Sequence, residues 1–358
     1  MSDTFVRYDD PRVEPKISDE SALQQEIRDL ITRVQHHNLS LHRHGFRGTH
    51  VKTQGILKGT FTAQKDLPSH LAVGICSPSN ASTPHPVAIR FANEPSFLTS
   101  DTSPGPRGCG LKIFNIKGDF MHPTGSATQT QDLTFNNAPV LELTDLPTTV
   151  EIFRIRERNF RQPEKIADEV SQRPDKELQL APSKLPNQHF LSYTMYSQSA
   201  YRWGDCVVKY ALFPSEAMLK KVEGMDVTED SDPEVLSTWL REYFRDNNAE
   251  YDLRVQVCKD IEAQSVENTG MEWSEDRYPF ETVGKVVLPK GQDPFSAKRR
   301  AAWDDGMRLN VWYGLEEHRP LGSANRLRKE LYETSSRNRE EMNARTPKDI
   351  RSIDEIPE

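Results

Sequence analysis

Between residues 19 and 37, apolar side chains recur at Leu23, Ile27, Leu30, Ile31 and Val34, the spacing of one helical face. Asp19 or Ser21 stands where a helix N-cap belongs. Ahead of them, residues 1–18 are polar and proline-punctuated, an arm rather than an element. From His50 the period drops to two. The runs "HVKTQGILKGTFTA", "PVAIRFA", "GCGLKIFNI" and "DLTFNNAPVLEL" are short, β-rich and separated by Gly, Pro, Ser and Asn clusters. No helical pattern lies between them, so the sheet they form is expected to be antiparallel, as a barrel or a sandwich. Helical stretches and a charged, proline-rich linker follow over residues 148–185. "RWGDCVVKYALFP", "YDLRVQVCKDI" and "KVVLPKG" read as further strands, and "SANRLRKELYETSSRNREEMNAR" as a closing helix.

The 358 residues suffice for a large core. A formal charge of −8 implies no basic face, which argues against nucleic acid as a partner. No apolar run approaches the eighteen or so residues that cross a bilayer. The N-terminus has no apolar core of a secretory leader, so a soluble cytoplasmic protein is the expectation. Cys76, Cys109, Cys206 and Cys258 are widely spaced and form no C-x-x-C pair, so free, buried thiols are expected.

Five of the ten histidines fall within "HHNLSLHRHGFRGTH", residues 36–50. Neither H-E-x-x-H nor H-x-x-E-H occurs, and four of the five are expected to be solvated or locally hydrogen-bonded rather than ligands. His50 differs, because it opens the first strand-like run and shares a strand face with Lys52. Arg90 sits mid-strand on a face that ought to be buried, and a buried arginine needs an anionic partner. Paired asparagines close the run "DLTFNN". Arg328, Tyr332, Ser336 and Arg339 fall along one face of the last helix.

Taken together, these residues resemble the catalase superfamily of haem proteins, in particular its shorter members. The family's distal R-x-x-H is matched by Arg47 and His50, followed by Gly55, Gly59 and Phe61. "IRF…GPRGCGLKI" is similar to the family's "VRF…DPRGFAVKF", and "DLTFNNAP" to its "DLVGNNTP", with Asp145 matching an aspartate nine residues on. The proximal R-x-x-x-Y fits Arg328 and Tyr332, with Arg339 seven residues beyond. Any one of these motifs is weak; four in order across residues 40–340 are strong.

The resemblance implies an α+β fold, an antiparallel β-barrel of the catalase type with surrounding helices and a C-terminal proximal helix. Its parts would be an arm and helix (1–40), a barrel with helical insertions (41–322) and the ligand-bearing helix (323–358). It implies haem b held by Tyr332 as axial iron ligand, with Arg328 favouring the phenolate and Arg47, Arg90 and Arg339 pairing with the propionates. His50 would take the proton of a hydroperoxide and deliver it to the leaving oxygen, with Asn136 positioning the peroxide. Hydrogen peroxide or an organic hydroperoxide is the implied substrate, an organic co-substrate is compatible, and a homo-oligomer stays open.

The departures from the family are specific. Thr49 stands where most catalases have valine, and the same Thr-His pair occurs in the superfamily's allene oxide synthase branch. Ala92 replaces the serine that bonds the distal histidine, so the Thr49 hydroxyl is left either to replace that partner or to compete for distal space. Leu141-Glu142 replaces a Phe-Phe pair, and the haem-stacking phenylalanine falls on Thr149. A rebuilt, wider channel follows. So does the alternative of a haem-dependent isomerase or dehydratase with no net redox change.

Overall fold

The computed structural model describes residues 5–121 and 128–358. Its strands are β1 (Lys52–Ala63), β2 (His85–Asn93), β3 (Arg107–Ile113), β4 (Phe120–Met121), β5 (Gln131–Asn136), β6 (Met195–Tyr196), β7 (Tyr201–Trp203), β8 (Cys206–Pro214), β9 (Ala249–Val257), β10 (Phe280–Leu288) and β11 (Gly314–Leu315). Eight of them form one antiparallel sheet in the order β6-β5-β3-β2-β1-β10-β9-β8, and β6 pairs back onto β8 to close a barrel. β7 adds to β8 outside the ring, and β4 pairs with β11 separately.

Eight strands enclose a space that side chains just fill. Val87, Ile89 and Phe91 of β2 point into it with Cys109, Leu111 and Ile113 of β3 and Leu133 and Phe135 of β5. The alternate residues therefore face outwards, Arg90 and Ala92 among them, with Gly108, Gly110, Thr134 and Asn136 on the neighbouring strands. Much of that outer face is covered, so its residues are buried without being inside the barrel.

The helices are α1 (Glu20–His42), α2 (Leu146–Arg158), α3 (Glu164–Val170), α4 (Lys176–Leu180), α5 (Glu216–Val222), α6 (Val235–Asp246), α7 (Ala297–Asp304) and α8 (Ser323–Asn343). The apolar stripe of α1 is buried through Ile27, Leu30, Ile31 and Val34. Ile27 joins Leu146 and Val150 of α2 and Leu327 of α8 in one cluster. Polar ties fix the same pair of helices. Gln35 donates to the Phe46 and Ser335 carbonyls at 2.7 and 3.1 Å and accepts from Asn338 at 2.9 Å. Asp19 caps α1 by backbone position only, in a left-handed conformation and without a side-chain hydrogen bond. No described helix is long and apolar enough to cross a membrane.

Candidate active site

A cavity of about 1840 Å³, counted with its open mouth, lies between the outer face of β2, β3 and β5 and the helices α1, α2 and α8. Its wall includes all eight residues singled out from the sequence: Arg47, Thr49, His50, Arg90, Asn136, Arg328, Tyr332 and Arg339. They come from four separate stretches of chain, and the fold brings them to one place.

His50 does not open the strand as expected. It precedes β1 in the left-handed region, with φ of 54°, a conformation that only a small share of non-glycine residues adopt. Two backbone bonds hold it there: its N–H donates to the Glu94 carbonyl at 2.7 Å, and its carbonyl accepts from Arg90 Nη2 at 2.7 Å. His50 and Lys52 consequently diverge. Lys52 turns away to Asp101, Nζ to Oδ1 2.8 Å, while His50 faces the cavity. The imidazole packs against β3 at Gly108, which pairs with both Ala92 and Asn136. A Cβ at Gly108 would come within 2.4 Å of His50 Cε1. No described residue hydrogen-bonds either ring nitrogen, so Thr49 lines the distal wall without replacing a serine partner. Burial, then the charges of Arg90, Arg328 and Arg47, pull the imidazole pKa down to about 3, which leaves it neutral. Asn136 accepts the Asn137 N–H on Oδ1 at 2.9 Å, leaving its Nδ2 as the donor end.

On α8, Arg328 and Tyr332 are one turn apart, with the guanidinium 5.8 Å from the ring centroid. Arg328 is itself held by Asn325 Oδ1 at 3.2 Å and by the Tyr201 hydroxyl at 3.3 Å. Burial raises the Tyr332 pKa; Arg328 opposes this with the expected sign but does not outweigh it. The protein alone therefore keeps a phenol here, and a phenolate needs a further cation in the cavity.

The expected propionate arginines do converge, but on a protein carboxylate that the sequence did not reveal. Asp304, at the end of α7, takes Arg47 Nη1 and Arg90 Nε at 3.1 Å each and the Thr53 hydroxyl at 2.8 Å. Arg339 donates to its backbone carbonyl. Three guanidiniums share this one carboxylate, with Asp305 acting on Arg339 as the next nearest anion, so positive charge is in excess at this corner. Burial and the neighbouring Arg47 push the Arg339 pKa well down, with Asp304 opposing. Burial likewise brings Arg90 to about 10. Arg308 Nε, Arg339 Nε and Ser336 Oγ, all on the cavity wall, are buried without a hydrogen-bond partner among the described residues. Such groups are expected to be satisfied by something that enters the cavity. A phenol, an excess of arginine charge and walls of Ile27, Ile31, Leu146, Leu327 and Leu331 fit a large, mostly apolar anion.

No family model matches the sequence, and no curated protein resembles it closely enough to count. Solved structures do match the fold. A fungal catalase crystal structure at 1.9 Å superposes with a TM-score of 0.62 at 15% identity, covering 85% of this chain and 60% of that one. Catalase A from Saccharomyces cerevisiae gives 0.62 at 16% identity, covering 85% and 62%. The fold is of the catalase type. The chain spans about three fifths of the length of these catalases.

In this catalase-type frame, Asp145 caps α2 through its side chain, accepting the Thr148 N–H at 2.8 Å. Thr149 and Leu141 line the cavity, whereas Glu142 turns away to Arg156 at 2.9 Å. The other clustered histidines lie outside the cavity. His37 meets Glu157 at 3.0 Å, His44 meets Asp305 at 2.9 Å, and His36 and His42 are exposed. All four cysteines are free and buried.

Proposed function

We propose that this cavity holds haem b, with Tyr332 as the axial ligand of the iron, and that the protein is a haem-dependent, peroxidase-like enzyme with weak catalase activity. It acts on hydrogen peroxide or an organic hydroperoxide. The observation that carries this reading is the convergence of Tyr332, a neutral His50 with free ring nitrogens and a corner rich in arginine charge on one cavity. The two propionates of haem b suit that corner, and Arg339 and Arg308 have donors to offer them. Haem would supply the iron centre at which the peroxide O–O bond is cleaved.

The chain's own contribution is proton handling and orientation. His50 is neutral throughout the physiological range, so an imidazole nitrogen is free to take the hydroperoxide proton and return it to the leaving oxygen. Gly108 keeps the ring in place, and Asn136 Nδ2 is the donor that orients the substrate. Arg328, clamped by Asn325 and Tyr201, steadies the Tyr332 oxygen once its proton has gone.

The purified protein is expected to show the Soret band of tyrosinate-ligated ferric haem and to oxidise a phenolic donor in a peroxide-dependent way. Tyr332→Phe should lose the band. His50→Ala should keep it and lose a factor on the order of hundreds or more in the peroxide reaction. A haem-loaded protein inert to every peroxide overturns the reaction. Conversion of an organic hydroperoxide with no donor oxidised would shift the assignment to an isomerase or dehydratase, the outcome that Thr49 and the remodelled wall at Leu141 and Thr149 favour.

A further inference from the structure

One charged side chain on the cavity wall has no part in the peroxide chemistry. Glu94 follows β2, and the His50 N–H on its backbone carbonyl sets it next to the distal histidine in space. Its side chain is 18% exposed and lines the cavity, yet no described residue hydrogen-bonds either carboxyl oxygen. The nearest cation is Arg156 of α2, with Nη1 3.6 Å away. That arginine directs Nη2 to Glu142 at 2.9 Å. Neither Arg156 nor Glu142 reaches the cavity wall.

Two carboxylates therefore share one guanidinium, and the less well paired of them is the one a ligand meets. A partly buried carboxylate without hydrogen bonds is costly until a donor or cation reaches it. Burial, reinforced by Glu142 and opposed by Arg156, holds the Glu94 pKa above the usual carboxylate range. Leu141, Leu143 and Phe153 line the same cavity. The balance at Asp304 is the reverse, with arginines in surplus, so the cavity has a cationic corner and a separate anionic point.

We propose that the organic co-substrate carries a basic nitrogen, a protonated amine or amidine on an apolar body, and that Glu94 is the residue that binds it. This rests on the peroxidase reading only for the fate of that molecule, since the docking itself needs nothing but the cavity. A substrate with a carboxylate tail would set two like charges together at Glu94 and is disfavoured.

Three probes of similar shape test this on the purified full-length protein: tyramine, its neutral alcohol tyrosol, and 4-hydroxyphenylacetate. Calorimetric titration is expected to rank tyramine on the order of tenfold or more above tyrosol, the usual worth of a charge-assisted hydrogen bond, with the carboxylate weakest. Glu94→Gln, isosteric and without a hydrogen bond to lose, should abolish the preference. Glu142→Gln, away from the cavity wall, should release Arg156 toward Glu94 and weaken tyramine severalfold while keeping the ranking. Equal binding of tyramine and tyrosol, tighter binding of the carboxylate, or a preference that survives Glu94→Gln overturns the assignment. The Soret spectrum is recorded on the same samples. A preference without haem leaves Glu94 standing and removes the haem reading, and haem without a preference does the reverse.

Discussion

At the scale of single residues, the cationic corner turns on Asp304. Its carboxyl is mostly buried, and although burial alone would raise its pKa, Arg90, Arg47 and the Thr53 hydroxyl prevail and keep it ionised. Asp304→Asn leaves three guanidiniums crowded without their shared anion, and is expected to cost about 3–5 kcal/mol in a denaturant titration. Asp305→Asn, which breaks a partly exposed pair with His44 and removes a weaker influence on Arg339 than that of Asp304, should cost clearly less, about 1 kcal/mol. A similar loss in both variants would show that Asp304 has no special place. Tyr332 makes a second prediction. Because the protein alone keeps it a phenol, haem uptake should release one proton, and affinity should weaken about tenfold per pH unit as pH falls below neutrality. Haem titrations in buffers of different ionisation enthalpy measure that proton directly. Arg328, Tyr332 and Arg339 were legible in the sequence because helical spacing alone puts them on one face. Asp304 was not: its partners Arg47 and Arg90 lie more than 200 residues away, and nothing in "KRRAAWDDG" marks a buried carboxylate.

At the scale of elements, β3 is the floor on which His50 rests. Gly108→Ala would drive a methyl to within 2.4 Å of His50 Cε1. The substitution is expected to cost only about 1–3 kcal/mol in stability, yet to lower the peroxide reaction nearly as far as His50→Ala does. Equal activity in Gly108→Ala and the unmodified protein would mean the ring has room to move. Of the long elements, α1 followed from periodicity and α8 from propensity and length, while the β-rich runs marked β1, β2, β3, β5, β8 and β9. The departures are local. Strand-like sequence runs through His50, but its two backbone bonds to Glu94 and Arg90 outweigh the preference and fold it left-handed. Three short helices escape a reading dominated by the long β runs: α5 and α7, of seven and eight residues, are too short for a clear period, whereas α6 does carry a helical apolar face at Leu236, Leu240, Tyr243 and Phe244. Arg90 was expected on a buried face, and it is buried; that a face outside the barrel is covered depends on α7 and α8, which no strand pattern contains.

At the scale of the molecule, barrel closure was the least legible feature. It depends on β6, two residues long, which meets β5 through Asn136–Tyr196 and β8 through Met195–Leu212 and Tyr196–Ala211. The closed fold in turn holds three histidines, His50, His189 and His318, in places that resist their protonation. His50 and His318 are pulled down to about 3 and His189 to about 4, in each case chiefly by burial. Between about pH 4 and 6.5 the unfolded chain therefore binds protons that the folded one does not, so stability rises with pH across that window and is lost as pH falls. Each histidine adds a slope of about 1.4 kcal/mol per pH unit near pH 5. Buried carboxyls with raised pKa, Glu94 and Asp132, act with the opposite sign, which makes differences between variants the cleaner measure. His189→Asn and His318→Asn both lie outside the cavity, so each should flatten the stability–pH profile by about that slope without disturbing the site. Urea titrations at pH 4.5, 5.5 and 6.5 supply the numbers. Parallel profiles for variant and unmodified protein would mean that these imidazoles take up protons while the barrel is still intact, and that burial in this fold is looser than its packing implies.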